Sequence, residues 1–273
     1  IPAELVPWQR RFIVERSIGD REPAWRVLVS EDEQTSVSIG PIDHLRLATL
    51  SAGLSLVSAL ERVQAFDRAL ERDLNYAVAM DWGYLSTEIT NIGTAMRASV
   101  LVHVPALSVL GRLEAMSASM ERSGYELVPF FPGEEFQADG SALCLLRNTR
   151  SLGSEEEAIV GKLEEYTTKL VHYERAARDE LRTAQSEDIA DSANRALGIL
   201  RFARSLSAVE ARSLVSHLRL GVVAGLVTHV AVETVTTLLL ANQDSHIARR
   251  TREGDGDDTD TVRARVFREL LGA

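Results

Sequence analysis

Arg46 and Arg97 are the side chains from which a chemistry can first be argued. Arg46 closes the run Asp43-His44-Leu45-Arg46, and Arg97 follows the small-residue turn Thr90-Asn91-Ile92-Gly93-Thr94-Ala95-Met96. What two guanidiniums offer is positive charge for an anion such as phosphate. Taken alone, each reads first as an ordinary surface or structural arginine, and Asn91, Gly93 and Thr94 serve as turn chemistry. His44 reads as a packed or capping side chain rather than a base. The other histidines, His103, His172, His217, His229 and His246, lack metal-ligand spacing. Cys144 is the only cysteine, which excludes an internal disulfide and a cysteine-rich zinc site and fits a reducing compartment. Asp255 to Asp260 lacks the terminal glutamate and alternating ligand order of a calcium loop, so no metal site is expected.

These residues sit in a strand-rich first half. Val27 and Val29, Val37 and Ile39, and Leu45 and Leu47 alternate, with Gly40-Pro41 between two of the runs, which predicts adjacent antiparallel strands. Leu56, Leu60, Val63, Phe66, Leu70 and Leu74 share one face of a covering helix. A strand is expected over 98–104, a helix from Pro105 to about Arg122 ended by Gly124, and two further strands over 126–131 and 142–147. Ser154 followed by three glutamates starts a long helix rather than an acidic metal site. Its apolar stripe is Ile159, Leu163, Tyr166, Leu170, Tyr173, Ala177 and Leu181. From Ser186 only helices are predicted, over 189–204, 208–224, 230–240 and 261–271, with 254–260 as a loop. Strands first and helices afterwards define an α+β class. An antiparallel sheet flanked by helices is followed by an all-α C-terminal domain, with the boundary near 183–187.

The chain has 273 residues, 45% hydrophobic and 26% charged, enough for one large domain and a smaller one. A formal charge of -10 argues against a nucleic-acid partner or an anionic membrane surface. Leu220 to Ala241 is apolar, yet His229, Glu233 and several threonines make it a buried helix pair rather than a membrane span. No signal peptide is visible at the start, and cytoplasmic localisation is the expectation.

Thr90-Asn91-Ile92-Gly93-Thr94-Ala95-Met96-Arg97-Ala98-Ser99-Val100 is similar to the Cys-Pro-Thr-Asn-x-Gly-Thr-x-x-Arg-Ala-Ser-Val signature of the phosphagen (ATP:guanido phosphotransferase) kinase family. Asp43-His44-Leu45-Arg46 resembles the end of its Asn-Glu-Glu-Asp-His-Leu-Arg segment, and Ser151 to Glu157 the lead into its last long helix. Phe12 to Arg16, Gly198 to Arg204 and Leu218 to Val222 resemble the bacterial protein-arginine kinase branch, whose C-terminal helical domain forms a dimer. The resemblance implies a catalytic-like domain over 1–184, lacking the N-terminal nucleotide-binding segment, and a helical dimerisation domain over 185–273.

The resemblance makes Arg46, Arg97 and Asn91 nucleotide-binding positions. Glu134 matches a substrate carboxylate, and Glu88 stands where the family has its reactive cysteine. Asp260 and Arg263 are the candidates for a phosphoarginine pocket in the C-terminal domain. Charged residues of the family are replaced at three places: Gly40-Pro41-Ile42 stands for Asn-Glu-Glu, Pro129 for a phosphate-binding arginine, and Thr259 for an arginine of the pocket. Transfer to a guanidinium needs carboxylates that hold the acceptor and cations around the phosphates. The expectation is therefore a pseudokinase-like homologue with lost or weak phosphoryl transfer, acting as an arginine- or phosphoarginine-binding or scaffold protein, with Glu88 and Glu134 as a two-carboxylate arginine pocket. The alternative is an active kinase using ATP and Mg2+ on protein arginine or a small guanidino compound. The partners expected are protein arginine side chains and a second copy of the chain, as a homodimer, with no nucleic acid and no membrane.

Overall fold

The computed structural model describes residues 26–40, 43–131, 135–136, 142–252 and 258–272. They form two compact units. One is drawn from residues up to Val100 with Ala118–Leu127 and Leu145–Thr168, the other from Leu101–Ser117, Val128–Cys144 and Lys169 onward. The units interleave along the chain, where the sequence reading draws one linear boundary near residue 184.

In the first unit, β1 (Arg26–Val29), β2 (Thr35–Ile39) and β3 (Leu45–Thr49) form an antiparallel sheet in the order β1-β2-β3. Val37 pairs with Leu47 and Ser38 with Arg46, so the expected alternation fixes the register. Helix α1 (Leu56–Leu70) packs on β3, and Thr49 Oγ1 donates to the Ala59 carbonyl at 2.9 Å. Its stripe stops at Leu70. Leu74 lies beyond the helix end and is exposed, against the expectation. A two-residue hairpin, β4 (Val78–Ala79) with β5 (Gly83–Tyr84), and a 3-10 turn over Ile89–Asn91 follow.

A second sheet has the order β6-β8-β7, from β6 (Ser99–His103), β7 (Tyr125–Pro129) and β8 (Leu143–Asn148). The predicted helix after Pro105 is two helices, α2 (Pro105–Val109) and α3 (Leu113–Glu121). The break falls at Gly111, whose φ of 64° is the left-handed conformation glycine adopts without strain. Helix α4 (Glu156–Ala184) buries Ile159, Leu163, Leu170, Ala177 and Leu181 as expected. Tyr173 does not belong to that stripe: it is 54% exposed, and its neighbour Glu174 is buried instead.

The second unit is largely helical: α5 (Ser186–Phe202), α6 (Ala208–Val223), α7 (Val232–Ala241), α8 (Asp244–Arg252) and α9 (Thr259–Leu270). Ala193, Leu197, Leu200, Val215, Leu218, Val235, Leu238 and Phe267 meet in one core. Helices α5 and α6 approach closely because Gly221 has no side chain; a Cβ there would lie 2.3 Å from that of Ala193. The apolar stretch 220–241 is the end of α6, a turn, and α7, and no described helix is long and apolar enough to cross a membrane. Helix α8 was not expected, and α9 starts two residues early because the Asp258 carboxylate accepts from the amides of Asp260 and Thr261, both at 2.9 Å.

Candidate active site

Asp43 is the centre of the site, in the first unit. Arg46 donates to its carboxylate through Nη2 at 3.0 Å and Nε at 3.2 Å, Ser86 through its hydroxyl at 2.6 Å, and Asn91 through Nδ2 at 3.2 Å. β3 supplies Arg46, the segment after the small hairpin supplies Ser86, and the 3-10 turn supplies Asn91. Asn91 Nδ2 also lies 3.3 Å from Glu88 Oε2, and Ser86 Oγ accepts the Glu88 amide at 3.1 Å. Arg97 completes the chain of contacts, donating from Nε to Asn91 Oδ1 and from Nη2 to Thr90 Oγ1, each at 3.0 Å.

Of the sequence-predicted site residues, the structure thus brings Arg46, Arg97, Asn91 and Glu88 into one hydrogen-bonded network. Glu134 lies outside the described residues, as does Ile42, so the two-carboxylate pocket is not placed. Pro129 ends β7. His44 is exposed rather than packed. Asp43 and Ser86 are members that sequence reasoning did not assign. Asp43 stands in the quoted motif, but nothing in its spacing says that partners 43 and 48 residues away converge on it.

The signature turn is held from beneath. Ser151 Oγ donates to the carbonyls of Thr90 at 3.1 Å and Ile92 at 2.9 Å, and the Ser151 carbonyl accepts from the Thr94 amide at 3.4 Å. Gly93 has a φ of +109°, and a Cβ on it would lie 2.7 Å from the backbone of Ser151 and Leu152. Buried Asn148 fixes the outgoing chain, accepting from the Ala98 amide at 2.7 Å and donating to the carbonyls of Met96 at 3.0 Å and Arg150 at 2.8 Å.

The two arginines differ electrostatically. Arg46 is ion-paired to Asp43, with side-chain exposures of 18% and 16%. Arg97 is exposed and held by an amide and a hydroxyl, both neutral, with no carboxylate partner among the described residues. Its charge remains available to an anion, which is the chemistry nucleotide phosphate requires. Among the described residues no group of three or more His, Cys, Asp or Glu is placed to hold a metal ion.

The second unit places Asp260 and Arg263 together, with Arg263 Nη1 donating to Asp260 Oδ1 at 2.5 Å and to the Leu206 carbonyl at 2.7 Å. Arg263 is 2% exposed, while Asp260 is 43% exposed. His103, partly buried, also lies in this unit. Arg219 Nη1 lies 2.9 Å from its Nδ1, and a guanidinium can only donate, so Nδ1 accepts and Nε2 donates to Ser216 Oγ at 2.6 Å. Burial first, then the charges of Arg219 and Arg178, holds His103 well below its usual range. Glu174 accepts from the amides of Ala106 at 3.2 Å and Leu107 at 3.0 Å. Burial pushes its carboxyl up to about 7, against the lowering by those amides and Arg178. Cys144 is buried, its thiol pushed up to about 12 by burial and then by Glu174, so it is no reactive nucleophile.

A guanidinium network behind a Thr-Asn-x-Gly-Thr turn, on a chain with antiparallel sheets and a helical C-terminal region, defines the class: the chain belongs to the ATP:guanido phosphotransferase family. Residues 5–177 match the model of the ATP:guanido phosphotransferase C-terminal catalytic domain, and residues 186–273 that of the protein-arginine kinase McsB C-terminal domain. The protein-arginine kinase of Halothermothrix orenii is 32% identical over 246 residues, covering 90% of this chain and 70% of that protein. That of Symbiobacterium thermophilum is 33% identical over 277 residues, covering 99% and 78%. Among solved structures, the duplicated taurocyamine kinase from Schistosoma mansoni with bound transition state analog components gives a TM-score of 0.50 at 21% identity. That match covers 64% of this chain and 25% of the duplicated enzyme, and it speaks to the fold alone.

Proposed function

We propose that this protein is a member of the family in which binding outlasts transfer. It holds nucleotide phosphate and an arginine side chain in the Arg97 network and transfers phosphate weakly or not at all. The observation that carries the reading is Arg97, fixed by neutral acceptors beside Asn91, Asp43, Arg46 and Glu88. ATP, when bound, supplies the phosphoryl group, with the magnesium that accompanies it. Arg97 binds phosphate oxygen, Asn91 orients Arg97, and Glu88 offers the carboxylate that a guanidinium can pair with. Transfer also needs the charges that sequence position replaces with Ile42 and Pro129. Loss of one preorganised electrostatic contact costs about 2.7–4 kcal/mol of transition-state stabilisation, roughly a hundredfold to a thousandfold in rate. Two such losses slow transfer by about four to six orders of magnitude.

In this reading residues 185–273 form the dimerisation domain, Asp260 and Arg263 border the phosphoarginine pocket, and the protein works in the cytoplasm on protein arginine. The test is incubation of the full-length protein with magnesium-ATP and an arginine-rich protein, followed by assay of acid-labile phosphate on arginine. Transfer at the rate of an established protein-arginine kinase overturns the proposal. Trace transfer that rises in the Ile42→Glu, Pro129→Arg double variant supports it. The second reading is an active protein-arginine kinase; what favours it is about one-third identity to proteins of that name over 90% or more of the chain.

A further inference from the structure

Helix α4 carries a second cluster of guanidiniums that the candidate active site does not use. Arg175, Arg178 and Arg182 are spaced by three and four residues, so they project from one face of the helix. With Asp179 on the same helix and Val223 and Ala224 at the end of α6, they line a cleft of about 230 Å³ within the second unit. The lining holds three cations and one carboxylate, in a chain whose formal charge is -10.

The ordinary explanations for such arginines are ion pairing and helix capping, and neither accounts for the cluster. Arg175 makes no ion pair or hydrogen bond among the described residues. Arg182 reaches Asp179 only at 3.6 Å, with both side chains mostly exposed. Glu180, the next carboxylate on the helix, is committed to Arg112 at 2.9 Å. Only Arg178 has a close partner, Glu174, at 3.2 Å. The carbonyls at the end of α6 are not waiting for an arginine cap either. Leu220 accepts from the Ala224 amide, Gly221 from those of Leu226 and Val227, and Val222 from that of Gly225. Next to the cleft, burial lowers both His103 and Arg219, and the charge of Arg178 adds to the lowering of each.

We infer that the cleft lined by Arg175, Arg178 and Arg182 is a second anion site, separate from the Arg97 network, that takes a phosphate-class dianion. Guanidinium forks match tetrahedral oxyanions by paired hydrogen bonds. The volume is below the ~300–1,000 Å³ of clefts that enclose drug-sized molecules, which favours a free phosphate or the phosphate head of a small monoester. Arg175 and Arg182 make the entrance and Arg178, half-buried on Glu174, the inner wall. Asp179 at the rim selects against ligands that present a second anionic group on that side.

The test uses the whole chain with Arg97→Ala, so that phosphate binding at the candidate active site does not contribute. Calorimetry and phosphorus NMR at low ionic strength follow titration with inorganic phosphate and, separately, with a phosphoserine tripeptide. One saturable site is expected, weakened as salt is raised, and its preference between the two probes distinguishes free phosphate from a phosphorylated side chain. Adding Arg175→Glu and Arg182→Glu is expected to weaken binding at least tenfold, and the neutral pair Arg175→Gln with Arg182→Gln to an intermediate degree. No saturable binding of either probe, or affinity within twofold of the parent in the glutamine pair, overturns the inference. The glutamine pair decides the matter if charge reversal disturbs folding.

Discussion

Replacing Asp43 by asparagine keeps the shape of the site and removes the anion at its centre. Three donor side chains converge on the carboxylate: Ser86 on Oδ1, and Asn91 with Arg46 on Oδ2. An asparagine offers one oxygen. If that oxygen takes the Oδ2 place, the Ser86 hydroxyl can rotate to accept from the new amide, so little is lost there. The bond from Asn91 changes from charge-assisted, worth about 1.5–3 kcal/mol, to neutral, worth about 0.5–1.5, while Arg46 keeps a charged donor but loses the anion it was paired with. With Asp43 and Arg46 only 16% and 18% exposed, solvent screening recovers little of the difference. With the Asn91 bond and the Arg46 ion pair each weakened by about 1 kcal/mol, the destabilisation is roughly 2 kcal/mol, a fall of about 4–8 °C in Tm for a domain of this size. Calorimetric melting measures it, and amide exchange at Asn91 and Gly93 is expected to quicken in the same variant. An Asp43→Asn protein melting within about 1 °C of the parent, with unchanged exchange at those amides, refutes the assignment of Asp43 as the hub.

Gly93→Ala sets a Cβ against backbone atoms of Ser151 and Leu152 that cannot rotate away, at a φ of +109°. The expected loss exceeds about 3 kcal/mol from strain and overlap together, measured by denaturant unfolding. Gly221→Ala brings two Cβ atoms to 2.3 Å and should cost about 1–3 kcal/mol. Ala193→Gly in the same chain removes the opposing Cβ, so the double variant should recover most of that loss in a thermal melt. Glu174 keeps its proton to about pH 7 in the folded protein, against 4.5 as its ordinary value. Its contribution to stability therefore falls as pH rises from about 4.5 to 7, by at most about 3 kcal/mol. His103, held below its usual range, acts in the opposite sense beneath pH 6.5, so the readout is the difference in stability between parent and Glu174→Gln, which should shift steadily across that window.

The signature turn was legible because it is contiguous: Asn91, Gly93 and Arg97 lie within seven positions, and the close approach of Ser151 explains why a glycine stands in the middle. The strand register carrying Arg46 was legible for the same local reason, a two-residue alternation. What stayed hidden depends on distant partners. Tyr173 and Glu174 both border the α4 stripe, and periodicity favours the aromatic residue. The amides of Ala106 and Leu107, 68 and 67 residues away, reverse the choice by giving a buried carboxylate its donors. The hairpin over 78–84 has strands of two residues, too short for any alternation to show. Helix α8 offers Ile247 as its one large apolar side chain, so its place comes from packing against Val262 and Val266, not from its own pattern.

In the proposed reading, binding and transfer separate in this site for a physical reason. Among the described residues, Arg97 rests on Thr90 and Asn91, and Asn91 on Asp43 and Glu88. Exchanging an anion for isoleucine or a cation for proline leaves those bonds intact while removing groups whose value lies in the transition state. Arg46, by contrast, spends its charge on Asp43, so the uncompensated charge of the network is concentrated at Arg97. On the proposed function, a site with one poised guanidinium and a carboxylate, Glu88, on the same asparagine keeps phosphate and guanidinium side by side. In the proposed reading it lacks the neighbours that would drive one onto the other.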